Sequence, residues 1–161
     1  PGSPARLTPI ELPFKFLLIT TGVERLSGSV HGPMSERWLK GESVVTEGIA
    51  FISSLSDMFI GLAEKYPPEP AFQRLMAGFM SANQATIQLL GGSGDAIDTL
   101  CADCLACGAD AAKLAGAGMG GTVLALCEDP TILETKLREK GYTRFIKPKA
   151  VEGLRLEENQ A

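Results

Sequence analysis

The sequence predicts an α+β fold in which helices pack on one face of a mostly antiparallel sheet. Three observations lead there. Short apolar runs bounded by glycine or proline, the mark of buried strands, occur near residue 14, on either side of residue 118 and again after residue 141. Between the first run and the next lies a long stretch of helical periodicity, and a single shorter helical stretch separates the third run from the fourth. The resulting order of strand, helices, strand, strand, helix, strand lacks the regular βαβ alternation of a parallel sheet.

Each element has its own signal. Residues 4–13 hold Pro4, Pro9 and Pro13 and read as an extended lead-in, while Pro1-Gly2-Ser3 looks like the remnant of a cleaved expression tag and is set aside. Phe14 to Thr21 alternates and then runs apolar, as a strand does. Gly22 to Pro33 reads as a loop; Pro33 suits a first helical turn, so a short helix is expected from there to Lys40, ended by Gly41. A long helix from about Glu42 to Lys65 places Val45, Ile49, Ile52, Phe59 and Leu62 on one stripe, and Pro67-Pro68 stops it. A third helix, Glu69 to Leu90, carries Phe72, Leu75, Met76, Phe79 and Met80, then Ile87 and Leu90 after a polar interruption at Asn83-Gln84. Such amides are either exposed or hydrogen-bonded, because burying them unpaired is costly.

After the break at Gly91-Gly92, Ser93 is the expected cap of a fourth helix that ends at Gly108. Ala111 to Ala115 and Thr122 to Cys127 are strands, Asp129 caps a helix with Pro130 at its first position, and that helix ends near Gly141. Tyr142 to Pro148 and Val151 to Leu156 are the last strand candidates, before a polar tail at 157–161.

Composition fits one globular domain: 161 residues, 45% hydrophobic and 21% charged. A net charge of −4 and a pI near 5.1 argue against a nucleic-acid surface, which needs clustered basic charge. The uninterrupted apolar runs fall short of the ~20 residues that span a bilayer, and no secretory signal opens the chain, so no membrane partner is expected and the cytoplasm is the expected location. Cys101, Cys104 and Cys107 copy three positions of a bacterial ferredoxin run, yet the fourth Cys-Pro does not follow. A continuous helix spreads these thiols over an arc, which suits core packing better than a cluster or metal, and no metal ligand set is assigned.

The stretch from Lys113 to Leu126, KLAGAGMGGTVLAL, is the most informative. Its loop, Gly116-Ala117-Gly118-Met119-Gly120-Gly121, nearly lacks side chains, so main-chain N–H groups can converge and another group can approach closely, as in many phosphate sites. It satisfies G-x-G-x-x-G, but a dinucleotide fold requires a helix afterwards, and Thr122 to Cys127 reads as a strand. A tight turn whose glycines only supply positive φ is the plain structural alternative.

This strand, glycine loop, strand with its leading lysine resembles the third conserved motif of the GHMP small-molecule kinases. Met80-Ser81-Ala82-Asn83-Gln84 with Leu89-Leu90-Gly91 is similar to the helix before that motif in mevalonate-kinase-like members, and Asp98-Thr99-Leu100, Gly108-Ala109 and Ala112-Lys113 fall where the family has related residues. Ser27 to His31, with Arg37 to Glu42, resembles a stretch of sugar-1-kinases, notably glucuronokinase-like proteins. The resemblance covers roughly residues 14 to 156 and implies the family's C-terminal domain: an antiparallel sheet of about four strands backed by helices, related to the ferredoxin-like plait. It also implies an ATP-dependent enzyme that phosphorylates a hydroxyl of a small metabolite, with Mg²⁺ accompanying ATP. The family's phosphate loop of Pro-x-x-x-Gly-Leu-Ser-Ser type, and the catalytic Asp and Lys that many members carry, belong to an N-terminal half that this sequence does not include. The chain by itself is therefore expected not to turn over substrate, and no catalytic residue is assigned to it.

By the same resemblance the loop at 116–121 forms one wall of a pocket at the domain interface. Possible substrate contacts are Lys113, His31, Arg25, Arg37 and Asn83. Lys113 either compensates phosphate charge or points to solvent, and His31 either meets the acceptor or sits at the surface. Both a mevalonate-like acceptor and a sugar remain open. A metabolite-binding regulatory domain without catalysis is the alternative from a different class.

Overall fold

The computed structural model describes residues 14–23, 27–66, 69–116, 118 and 120–149, with residues 27–31 described by their backbone alone. In chain order the elements are β1 (Lys15–Thr20), α1 (Ser27–Leu39), α2 (Ser43–Lys65), α3 (Pro70–Leu89), α4 (Asp95–Ala106), β2 (Ala111–Ala115), β3 (Thr122–Cys127), α5 (Pro130–Glu139) and β4 (Phe145–Ile146). The four strands form one sheet in the order β2-β3-β1-β4, and every pairing is antiparallel. The α+β class read from the sequence holds, and the strand order is that of the ferredoxin-like plait.

Side-chain alternation splits the core across the sheet. Leu17 and Ile19 of β1, Ala112 and Leu114 of β2, and Val123, Ala125 and Cys127 of β3 face Ile97, Leu100, Cys101 and Cys104 of α4 and Leu133 and Leu137 of α5. Each fully buried aliphatic side chain here contributes about 1.5–3 kcal/mol by leaving water. Phe16 of β1, Ala111 of β2, and Leu124 and Leu126 of β3 form a smaller cluster with Met76, Ala77 and Met80 of α3. Helix α3 thus lies beside the open edge of β2 and reaches the face that α4 and α5 leave free.

Four local expectations need correcting. Helix α1 begins at Ser27, so Pro33 lies inside it and not in its first turn. The small polar residues Ser27 to Gly32 look like a loop, and tertiary anchoring overrides that weak local preference: the Arg37 guanidinium donates from Nη1 to the Leu90 carbonyl (2.8 Å) and from Nε to Glu42 (2.8 Å). Ser93 does not cap α4. Gly94 holds that place, and the Ser93 hydroxyl donates instead to the Asp98 carboxylate at 2.5 Å. The last strand shrinks from the expected Tyr142 to Pro148 to Phe145–Ile146, because β4 pairs with only the Leu18–Ile19 part of β1. The stripe expected on α2 is only partly inward. Val45 is buried and Gly48 admits Leu90, whereas Ile49, Phe51 and Met58 are exposed. Among the described residues α2 is also the one helix long and apolar enough, by length and composition, to cross a bilayer; Glu47 and Asp57 interrupt it, and it packs on α1 and α3.

Other expectations match. Asp129 caps α5 by accepting from the N–H groups of Thr131 (2.7 Å) and Ile132 (3.3 Å), with Pro130 next. Gly108, at φ +102°, ends the α4 segment. The lead-in at 4–13 and the strand candidate at 151–156 lie outside the described residues.

Candidate functional site

The β2–β3 hairpin sets the location. Register pairs Ala115 with Thr122 and Thr20 with Thr122, so the connection 116–121 emerges at the end of the sheet where β1 also finishes. Gly116, Gly118, Gly120 and Gly121 all have positive φ, between +90° and +134°, which L side chains rarely adopt. Gly116 is exposed, Gly118 and Gly120 are buried and Gly121 is half-buried, so the loop is rooted inside and presents one rim outward. Ala117 and Met119 lie outside the described residues.

Two of these glycines answer to close approach by the chain's own backbone. A Cβ on Gly118 would overlap the Gly92 carbonyl oxygen, and one on Gly120 would come within 2.9 Å of the Val23 carbonyl oxygen. The smallness of the loop thus has an internal reason beside any ligand.

Thr21 pins the far end of the loop. Its hydroxyl donates to the Gly121 carbonyl (3.1 Å) and lies within hydrogen-bond reach of the Gly121 and Val23 N–H groups (3.1 and 3.2 Å). The Thr21 N–H donates to the same Gly121 carbonyl at 2.8 Å. Sequence reasoning missed Thr21, whose role depends on a partner one hundred residues away.

The near end is held by a buried polar network. Leu114, on edge strand β2, donates its N–H to Gln84 Oε1 at 2.8 Å. Gln84 Nε2 donates to the Ser93 hydroxyl (3.2 Å) and reaches Asp98 Oδ1 at 3.5 Å, an oxygen that also accepts from Gln88 (2.8 Å). The polar interruption in α3 therefore closes an open sheet edge.

Asn83, one residue earlier, faces elsewhere. With Lys113, Ser56, Phe59, Phe79 and Met80 it lines a largely apolar, open cavity of about 310 Å³ between α2, α3 and β2. Its Oδ1 is buried and has no hydrogen-bond partner among the described residues. Lys113 is half-buried, donates to the Leu114 carbonyl at 3.0 Å, and pairs with no carboxylate among the described residues. Burial pushes its ammonium below the usual lysine range.

The expected contacts are therefore not brought together as one set. Lys113 and Asn83 share a cavity. Arg37 is committed to Leu90 and Glu42. The backbone of His31 lies in α1, its side chain is outside the described part, and Arg25 is outside it altogether. All four cysteines are free thiols packed in the interior; burial pushes Cys101 and Cys127 up to about 11 and Cys104 to about 12, which makes them inert at neutral pH. Among the described residues, no group of three or more His, Cys, Asp or Glu is arranged to hold a metal ion.

Comparison with known proteins agrees with the fold. Residues 70–143 match the family model described as GHMP kinases C terminal. A mevalonate kinase from L. major superposes with a TM-score of 0.67 at 18% identity, over 87% of this chain and 44% of its own. For a Methanococcus jannaschii mevalonate kinase the values are 0.60, 22%, 84% and 39%. For Lactococcus lactis galactokinase, solved with galactose, they are 0.60, 16%, 88% and 47%. A search of the curated proteins found no match. At these identities the structures establish the fold, and the chain spans less than half the length of each of the three. The chain shares the open-sheet α+β fold of these three proteins. More particularly, residues 70–143, a little under half of the chain, are similar to the C-terminal region of the GHMP kinases.

Proposed function

We propose that this domain is the C-terminal half of an ATP-dependent kinase that transfers the γ-phosphoryl group to a hydroxyl of a small metabolite, mevalonate-like or a sugar, and that it works in the cytoplasm. The observation that carries the reading is the glycine loop, held at both ends while Gly116 stays exposed. Phosphoryl transfer needs positioning and charge stabilisation more than covalent help, so main-chain donors fixed in place before the substrate arrives suit it. The loop is one wall, and an N-terminal half supplies the opposite wall and the catalytic groups. Mg²⁺ would accompany the nucleotide, but the described surroundings of the loop do not fit it. The nearby carboxylate, Asp98, already accepts from Ser93, Gln84 and Gln88 through Oδ1. No step through the metal is assigned to this chain.

Lys113 and Asn83 are the best-supported acceptor contacts. Both side chains line one open cavity, and the Lys113 ammonium has no carboxylate partner among the described residues, so an anionic ligand there would compensate its charge. The exposed apolar face of α2 suits packing by the other half. The test is ATP-dependent phosphorylation by the full-length protein against mevalonate, phosphomevalonate and a panel of monosaccharides. Turnover by the intact protein and none by this chain alone is expected. Binding of a metabolite by the intact protein, without phosphoryl transfer to any of these, would overturn the kinase reading in favour of a regulatory domain.

A further inference from the structure

Resting on the reading of the glycine loop as a phosphate-site wall, we propose that Gln84 is a positioning residue for the reaction. Its buried carboxamide ties two backbone segments together, and the loop is registered between them. One segment is β2, whose Leu114 N–H faces the open side of the sheet and is taken up by Gln84 Oε1 at 2.8 Å. Two residues further the chain enters the loop at Gly116. The other segment is the turn at 91–94, where Ser93 accepts from Gln84 Nε2 at 3.2 Å and donates to Asp98 at 2.5 Å. In that turn the Gly92 N–H is held by the Ile87 carbonyl (2.9 Å), and the Gly92 carbonyl sits where a Cβ on Gly118 would be.

The separation of these segments thus decides where Gly118 lies relative to the sheet. An acceptor for the buried Leu114 N–H alone would close the β2 edge; the same carboxamide also donates to Ser93, and this second bond ties that edge to the 91–94 turn. Main-chain donors aimed at a transferring phosphoryl group tolerate little displacement. A shift of about 1 Å costs on the order of a hundredfold in rate.

The test uses the full-length kinase with Gln84→Met, which keeps the volume and removes the hydrogen bonds, and Ser93→Ala, which removes one hydroxyl. Gly116→Ala perturbs the loop directly. Steady-state kinetics, circular dichroism and amide hydrogen exchange of the 116–121 peptide are read together. With both network variants folded, kcat falls about tenfold to a hundredfold, the acceptor KM stays within about twofold, and exchange quickens in the loop while β1 and α5 remain protected. Wild-type kcat and loop exchange in folded variants would overturn the inference. So would a uniform loss of protection across the domain, which marks a purely structural role. If Gln84→Met does not fold, Ser93→Ala decides by the same criteria. The underlying reading fails separately: Gly116→Ala with unchanged kcat removes the loop from the site, whereas a fall there with none in the network variants removes only Gln84's part.

Discussion

Replacement of Gly118 by alanine should cost this domain far more stability than the same change at Gly141. Both glycines have similar positive φ, +90° and +96°, so both substitutions meet the same conformational penalty of about 1–2 kcal/mol. They differ in surroundings. Nothing lies within 4 Å of a Cβ at Gly141, whereas one at Gly118 overlaps the Gly92 carbonyl oxygen and comes within 3.0 Å of the Gly92 carbonyl carbon. That carbonyl cannot swing aside freely, because the Gly92 N–H is bonded to Ile87 and the preceding Leu90 carbonyl to Arg37. Forcing it adds an overpacking cost of about 1–3 kcal/mol. The sum for Gly118→Ala is roughly 2–5 kcal/mol, a Tm drop of roughly 5–15 °C for a domain of this size, against roughly 2–6 °C for Gly141→Ala. Thermal unfolding of both variants of this chain, followed by circular dichroism, measures the difference. Equal Tm losses would refute the close approach of the loop to the 91–94 turn, and with it the account of how the loop is placed.

Thr21→Val removes a hydroxyl shared among three backbone groups of the loop end and should cost about 1–3 kcal/mol in urea unfolding, with m unchanged. Lys113→Met in the full-length protein should raise the acceptor KM about tenfold or more and leave the ATP KM alone, while the domain's Tm holds or rises because a desolvated ammonium is gone; an unchanged acceptor KM removes Lys113 from the pocket. The buried thiols give a pH signature. Their folded pKa values, about 11 to about 12, lie above the ordinary 9.0, so the folded state holds its protons longer than the unfolded state. Their contribution is fully present below about pH 9 and is lost as pH rises towards about 12. Replacing Cys104 by Ala should flatten that alkaline fall in equilibrium unfolding.

The α+β class and the glycine loop were legible in the sequence because they rest on local signals. Short apolar runs mark β1 and β3, Asp129-Pro130 announces α5, and glycines flanked by apolar runs announce a turn between strands. Each signal is complete within a few neighbours along the chain. The extent of α1 was not legible, since its anchor, Arg37, finds its partner at Leu90, 53 residues away. Nor was the true part of Ser93, because the choice between a cap and Asp98 depends on how the turn meets α4.

The candidate site divides in the same way. Residue types together with the family resemblance named Gly116 to Gly121, Lys113 and Asn83, and equally His31, Arg25 and Arg37, as chemically suggestive, since bare backbone, charged groups and an amide carry their properties wherever they stand. Only tertiary structure decided that Gln84 faces the β2 edge while its neighbour Asn83 faces a cavity with Lys113, and that Gly118 has no room for a side chain. Such facts depend on contacts between segments far apart in the chain, and hydrogen-bond satisfaction and steric exclusion become definite only when those segments meet.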